Sequence, residues 1–158
     1  MKVTIYTDGS ARGNPEGPGG YSCILQYIDS KGNLHEREYS GGYVKTTNNR
    51  MEMMAVIIGL EALTKPCDVL VVSDSKYVTD TFNQNWIENW LKKNWKTSTG
   101  KPVKNKSLWI RMLKAMEHHN VKFQWIKGHA GHTENERCDR LATEAADSDH
   151  LLIDTMED

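Results

Sequence analysis

Hydrophobic positions change their period several times along this chain, and each change marks an element. Val3-Thr4-Ile5-Tyr6-Thr7 is a run of β-forming residues that predicts a strand, broken as a turn by Asp8-Gly9-Ser10. Ala11 to Gly20 contains Gly13, Pro15, Gly17, Pro18, Gly19 and Gly20 and reads as a tight loop. Tyr21 to Ile28 and Leu34 to Val44 are strand-like on either side of Asp29-Ser30-Lys31-Gly32-Asn33, a hairpin signal, so the chain opens with an antiparallel meander. Val69 to Ser73 is a short apolar run of the kind buried in a sheet covered on both faces, and Val121 to Ile126 is a fifth strand candidate.

Between these runs the spacing turns helical. Arg50 to Thr64 is apolar almost all round, so this helix belongs inside, against the sheet, and stops before Pro66. Ser75 to Phe82 and Trp86 to Trp95 predict shorter helices. Leu108 to His118 places Leu108, Trp109, Met112 and Met116 at helical spacing. The last helix, Glu134 to Ala146, puts Cys138, Leu141, Ala142 and Ala145 on one side, with Thr133 and Glu136 forming a capping box at its start. Beyond Asp147 the chain turns acidic, and residues 148–158 are expected to fray.

Composition bounds this picture. A length of 158 residues suits a single domain, 1–158, with a sizeable core, and 38% hydrophobic with 26% charged residues excludes a disordered chain. No apolar run reaches membrane-spanning length and no secretory signal opens the sequence, which points to the cytoplasm and away from membranes. Cys23, Cys67 and Cys138 have no metal-ligand spacing and, being odd in number, no closed disulfide framework; they read as partly buried thiols. The formal net charge of −1 hides an asymmetry. Lys92, Lys93, Lys96, Lys101, Lys104 and Lys106 follow one another with no acid between them, whereas Glu134 to Asp158 is strongly acidic. A nearly neutral chain of this kind can still carry a local polyanion-binding surface.

Four acids stand out by position. Asp8 and Asp74 each end a predicted central strand, where an α/β sheet opens onto its site, and parallel strands would bring both out at the same end. Glu52 lies in the first turn of an otherwise apolar helix, and Asp139 borders the apolar face of the last one. Each has an ordinary account. Asp8 can bond its own turn, Glu52 can sit at N3 of a helix capped by Asn49, Asp74 or Ser75 can cap the next helix, and Asp139 can be a solvated boundary residue. Together they can form an oxygen-ligand cluster for hard divalent ions such as magnesium. Two such ions suit in-line phosphoryl displacement, one activating water and the other stabilising the leaving 3′ oxygen.

Lys127-Gly128-His129-Ala130-Gly131-His132 places His129 between glycines, where an imidazole can move protons, or where it simply decorates a surface loop. Trp86 and Trp90 share a helical face and are interleaved with Lys92, Lys93 and Lys96, followed by Lys101 and Lys104. Such a protrusion, 86–106, would receive phosphates with salt-dependent affinity, although at least one of its indoles is expected to anchor it to the domain. Asn14, Thr47, Asn48 and Asn49 offer short amides and a hydroxyl suited to minor-groove edges and ribose hydroxyls.

Thr7-Asp8-Gly9-Ser10, Gly13-Asn14-Pro15 with Gly19-Gly20-Tyr21, and Thr46-Thr47-Asn48-Asn49-Arg50-Met51-Glu52 occur in that order. Asp74-Ser75-Lys76-Tyr77-Val78 follows, then Lys127-Gly128-His129-Ala130-Gly131-His132 and Asn135-Glu136-Arg137-Cys138-Asp139. This series closely resembles ribonuclease H of the bacterial type 1 kind, from Val3 to about Ala146. The resemblance implies a ribonuclease H-like α/β fold: a mixed five-stranded sheet with three leading antiparallel strands and helices on both faces. It implies endonucleolytic, magnesium-dependent hydrolysis of the RNA strand of RNA–DNA hybrids, with little sequence specificity, leaving 5′-phosphate and 3′-hydroxyl ends. By the same resemblance Asp8, Glu52, Asp74 and Asp139 hold two magnesium ions, with manganese as a substitute, and His129 assists proton movement and product release. Asn14, Asn48, Asn49 and Lys76 would lie along the minor groove. Thr47 and Asn105 would hold a DNA-strand phosphate, and Trp86 with the lysine-rich protrusion would receive the DNA backbone.

Two departures are visible. Ala11 stands where bacterial relatives often carry cysteine, with no catalytic loss expected, and Lys76 replaces a common glutamine, so a cation there would reach phosphate instead of making an amide contact. Nothing in the sequence demands an oligomer, so a monomer is expected, with replication or repair proteins as conceivable associates. The rival readings are a nuclease for DNA or junctions, a non-catalytic hybrid-binding module, and a domain of a larger polymerase-type polyprotein.

Overall fold

The computed structural model describes residues 1–13 and 16–156. Its centre is a five-stranded sheet of order β3-β2-β1-β4-β5, formed by β1 (Lys2–Ala11), β2 (Gly17–Ile28), β3 (Leu34–Thr46), β4 (Asp68–Ser73) and β5 (Asn120–Trp125). β1, β2 and β3 form the expected antiparallel meander, while β4 and β5 add in parallel beside β1. The mixed α/β sheet of the sequence reading is therefore present.

Helices cover both faces. Cys23 and Ser22 are neighbours on β2 and so point to opposite sides. A Cβ at Gly59 of α1 (Asn48–Glu61) would meet the Ile5 side chain and the Cys23 sulfur, which places α1 on one face. Ser22 Oγ donates to the Cys138 carbonyl of α5 (Thr133–Ala146) at 2.5 Å, which places α5 on the other. α1 is buried along nearly its whole length, among Val3, Ile5, Leu25, Val69 and Val71 from the sheet. The outer helix α4 (Lys106–Met116) closes that core with the buried Trp109 and Met112, and Trp109 meets Tyr77 and Phe82 of α2 (Lys76–Asn83). Cys23, Cys67 and Cys138 are free and buried; desolvation pushes the Cys23 and Cys138 thiols up to about 12, so both are inert at neutral pH.

Several boundaries differ from the sequence reading. Asp8-Gly9-Ser10 is not a turn: β1 continues to Ala11, paired in register from Thr4↔Gln26 to Ala11↔Gly19. The Ala11–Gly20 loop shrinks accordingly, because β2 begins at Gly17. Thr47, not Asn49, caps α1, its hydroxyl accepting from Arg50 N at 3.2 Å. The Thr133–Glu136 capping box is also absent, since Thr133 is already inside α5 and His132 precedes it without a side-chain cap. The helix expected over Trp86–Trp95 ends early, as α3 (Trp86–Lys92), because Asn94 and Trp95 take positive φ and turn the chain. Beyond α5, the segment expected to fray lies along the outer edge of β3. Leu152 N donates to Gly42 O at 2.9 Å and Val44 N to Leu152 O at 2.8 Å. Glu157 and Asp158 lie outside the described residues.

Candidate active site

The parallel register of β1 and β4 runs to Thr7↔Ser73, so the next residues, Asp8 and Asp74, emerge side by side at the end of the sheet. Glu52 reaches the same place from α1 because β1 and α1 touch backbone to backbone. A Cβ at Gly9 would overlap the Met51 carbonyl carbon and the Glu52 amide nitrogen, so only glycine permits this approach. Carboxylate oxygens of Asp8, Glu52 and Asp74 all lie within 4.8 Å of one another.

Local capping and turn roles do not account for these acids. Glu52 caps nothing; with Thr47 as N-cap it lies beyond the capping-box position, buried, and its Oε1 has no hydrogen-bond partner. Ser75 caps α2, its hydroxyl accepting from Val78 N at 3.3 Å, which leaves the Asp74 carboxylate facing the cluster. Asp8 accepts from the Gly9 amide at 2.9 Å yet is buried beside two further acids. Burial first and the charge of Asp74 second push the Asp8 carboxyl up to about 8. Burial, then Asp8 and Asp74, push Glu52 up as well. Such a cluster must share protons or hold a cation, and the orphaned Glu52 oxygen amid hard oxygen donors fits a divalent ion of the magnesium type.

Asp139 is half-buried on α5, near enough for its charge to raise Asp8, but it stands outside the three-acid cluster. His129 is exposed at φ 55° in the turn after β5. That turn passes close to the acids, since a Cβ at Gly128 would come within 2.7 Å of Asp74 Oδ2. Two residues given no role from sequence bind Asp74 directly: Trp125 Nε1 donates to its carbonyl at 3.0 Å, and the buried Asn135 reaches Oδ2 with Nδ2 at 3.4 Å. Asn135 was legible only as a polar residue on the inward side of an amphipathic helix.

Lys76 is exposed, its ammonium 4.8 Å from the centroid of the Trp125 ring, a cation–π contact that holds the charge beside Asp74. Asn48 Oδ1 accepts from Ala11 N at 3.3 Å, joining the start of α1 to the end of β1, while Asn49 is exposed next to it. Asn14 lies outside the described residues. Asn105 takes a left-handed φ of 61°, accepts from Arg50 Nη1 at 3.1 Å and donates Nδ2 to the Tyr77 hydroxyl at 3.0 Å.

In the basic protrusion the two indoles divide. Trp90 packs on Trp109 with centroids 5.7 Å apart and anchors α3, whereas Trp86 keeps 41% of its surface exposed. Lys92, Lys93, Lys96, Lys101 and Lys104 are all exposed. The segment after α3 is fastened by a Lys96↔Pro102 bridge and by Val103 N donating to Trp95 O at 3.0 Å.

A mixed sheet that opens onto an acidic, cation-seeking cluster beside exposed lysines and an indole defines a class of nucleic-acid-directed phosphotransfer folds. A family model for RNase H matches residues 1–147. The chain is 64% identical over 156 residues to a ribonuclease H of Lachnoclostridium phytofermentans, covering 99% of each. It is 53% identical over 150 residues to a ribonuclease H of Yersinia pestis, covering 95% of this chain and 93% of that one. The crystal structure of LC9-RNase H1, a type 1 RNase H with the type 2 active-site motif, superposes with a TM-score of 0.84 at 32% identity, over 92% of this chain and 72% of that one. The chain belongs to the ribonuclease H family. Among the described residues, no helix is long and apolar enough to cross a membrane.

Proposed function

We propose that this chain hydrolyses the RNA strand of RNA–DNA hybrids endonucleolytically, leaving 5′-phosphate and 3′-hydroxyl ends. The observation that carries the reading is the convergence of Asp8, Glu52 and Asp74, with the buried Glu52 oxygen unpartnered, in a chain of this family. These three residues and Asp139 would hold two divalent ions, magnesium by preference. Bound there, the ions would supply an activated water and neutralise charge on the leaving oxygen.

The chain's own residues do the rest. Asn48 and Asn49 face a minor groove with amides, and Lys76 adds a cation at its margin, so that ribose hydroxyls and phosphates are read and bases are not. The exposed lysines and Trp86 receive the DNA backbone, where a base-independent charge attraction is wanted. Thr47 and Asn105 grip one DNA phosphate. Glu52, buried like Asp8, would accept a hydrogen bond from the 2′-hydroxyl at the cut, coupling strand choice to hydrolysis. His129 Nε2 or Nδ1, on an exposed turn beside Asp74, takes up a proton as products leave.

The test is a matched set of RNA–DNA, RNA–RNA and DNA–DNA duplexes incubated with the intact protein and with Asp8→Asn, with and without magnesium. Cleavage of the hybrid alone, dependent on magnesium and absent in Asp8→Asn, is expected. Efficient cutting of all-DNA duplex, or hybrid cutting by Asp8→Asn, would overturn the reading.

A further inference from the structure

The segment that follows α5 reaches the α1 N-terminus by way of the β3 edge. Its pairing through Leu152 brings Asp154 against Arg50: Oδ2 accepts from Nε and Oδ1 from Nη2, each at 2.8 Å. Thr46 Oγ1 donates to Asp154 Oδ2 at 2.6 Å, and Met156 N donates to Oδ1 at 2.9 Å. The two side chains are nearly closed to solvent, 5% exposed for Arg50 and 9% for Asp154. A pair so enclosed is tolerated only when its donors and acceptors are satisfied, and removing one partner strands the other.

Arg50 stands between the two residues assigned to the DNA phosphate. Its backbone amide donates to the Thr47 hydroxyl, and its Nη1 donates to Asn105 Oδ1. With Oδ1 of Asn105 taken by Arg50 and Nδ2 directed at Tyr77, the orientation of that amide is set by the guanidinium. The guanidinium is set in turn by a bidentate fork to Asp154. The pairing is therefore a relay from the sheet edge to the phosphate grip, and none of these bonds is made by Asp8, Glu52 or Asp74.

We infer that Asp154 is a positioning residue for the phosphate site. Carried by residues 151–156, it holds the Arg50 guanidinium in one orientation and thereby presents Asn105 to the DNA phosphate that Thr47 also meets. This rests on the hybrid-hydrolysis reading above. Its signature is weaker substrate capture with the hydrolytic step intact, because the carboxylate cluster is untouched.

The experiment compares wild type, Asp154→Asn, Asp154→Glu, Leu152→Pro, Asn105→Ala and the double variant Asp154→Asn with Asn105→Ala. Hybrid cleavage kinetics, hybrid affinity in chelator by fluorescence anisotropy, and thermal melts are read on each. Asp154→Asn should raise KM and Kd about tenfold with kcat changed less than about twofold, the size expected for one charge-assisted hydrogen bond. Leu152→Pro, which removes the amide that bonds Gly42, should reproduce the loss, and Asp154→Glu should recover part of it. In the Asn105→Ala background Asp154→Asn should add almost nothing to KM while still lowering the melting temperature. Asp154→Asn that melts lower but binds hybrid as well as wild type, or whose effect multiplies with that of Asn105→Ala, would overturn the inference. A wild type that binds hybrid with this pattern yet never cuts it would overturn the hydrolase reading and leave the positioning role standing. One that neither binds nor cuts would overturn both.

Discussion

Glu52 concentrates the conflict between stability and function in this protein. It is buried, its Oε1 has no partner, and two further carboxylates lie within 4.8 Å. For the metal-free protein the sign of the pH dependence follows from the raised values. An acid whose folded pKa exceeds its unfolded one gives stability that is full below the ordinary carboxylate range and lost as pH rises through the folded value. Asp8 is pushed to about 8 and Glu52 moves the same way, so melting temperature in chelator should fall steadily between about pH 5 and pH 8. Glu52→Gln should flatten that slope, stabilise the metal-free protein by about 1 kcal/mol or more near neutrality, and abolish hydrolysis. Thermal melts across the range check this; a flat wild-type profile would show that the acids do not confine one another's charge.

At the level of elements, the contact between β1 and α1 is decisive, and Gly9 makes it possible. Gly9→Ala would drive a methyl group into the Met51–Glu52 peptide, displacing the helix that carries Glu52. We expect a loss of about 2 kcal/mol, from overpacking against backbone that cannot yield, together with loss of metal-dependent cleavage. Chemical denaturation and a magnesium titration would measure both. Gly9 also shows where a sequence reading stops. The Asp-Gly-Ser triplet has local turn chemistry, but pairing with β2 overrides it and keeps β1 extended to Ala11. The α1 cap departs from expectation for a similar reason: Thr47, Asn48 and Asn49 are all competent caps, and tertiary packing chose the first. By contrast, the meander, the buried α1 and the emergence of Asp8 and Asp74 side by side from parallel neighbouring strands were legible from period and length, although β1 runs on past Asp8 to Ala11. The docking of Leu152 and Asp154 was not, since the three-residue apolar run Leu151-Leu152-Ile153 among acids is too short to show which sheet edge and which buried arginine it meets.

Across the whole molecule, a formal net charge of −1 coexists with a local run of exposed lysines. Arg137 neutralises Glu36 and Glu38 on β3, and Arg12 pairs with Asp147, so part of the acid excess is matched internally. Lys92, Lys93, Lys96, Lys101 and Lys104 meanwhile remain exposed on the protrusion. Replacing Lys93 and Lys96 by alanine should lower the slope of log affinity against log salt by roughly 1.5 for a hybrid, at about 0.7–0.9 for each phosphate no longer neutralised. Lys31→Ala, in the β2–β3 turn, should leave the slope unchanged. Binding isotherms at several salt concentrations distinguish the two; equal slopes in all variants would remove the protrusion from the interface.

The strand order has a consequence for the newly made chain. β1 occupies the middle of the sheet, and its acidic end gains its partner only when β4 docks alongside from much later in the sequence. A nascent polypeptide still short of Asp74 thus owns Asp8 and Glu52 but no cleft to hold an ion between them all. Local folding of the first strands and helix therefore cannot complete the ion-binding cleft, which waits until residue 74 has joined the sheet.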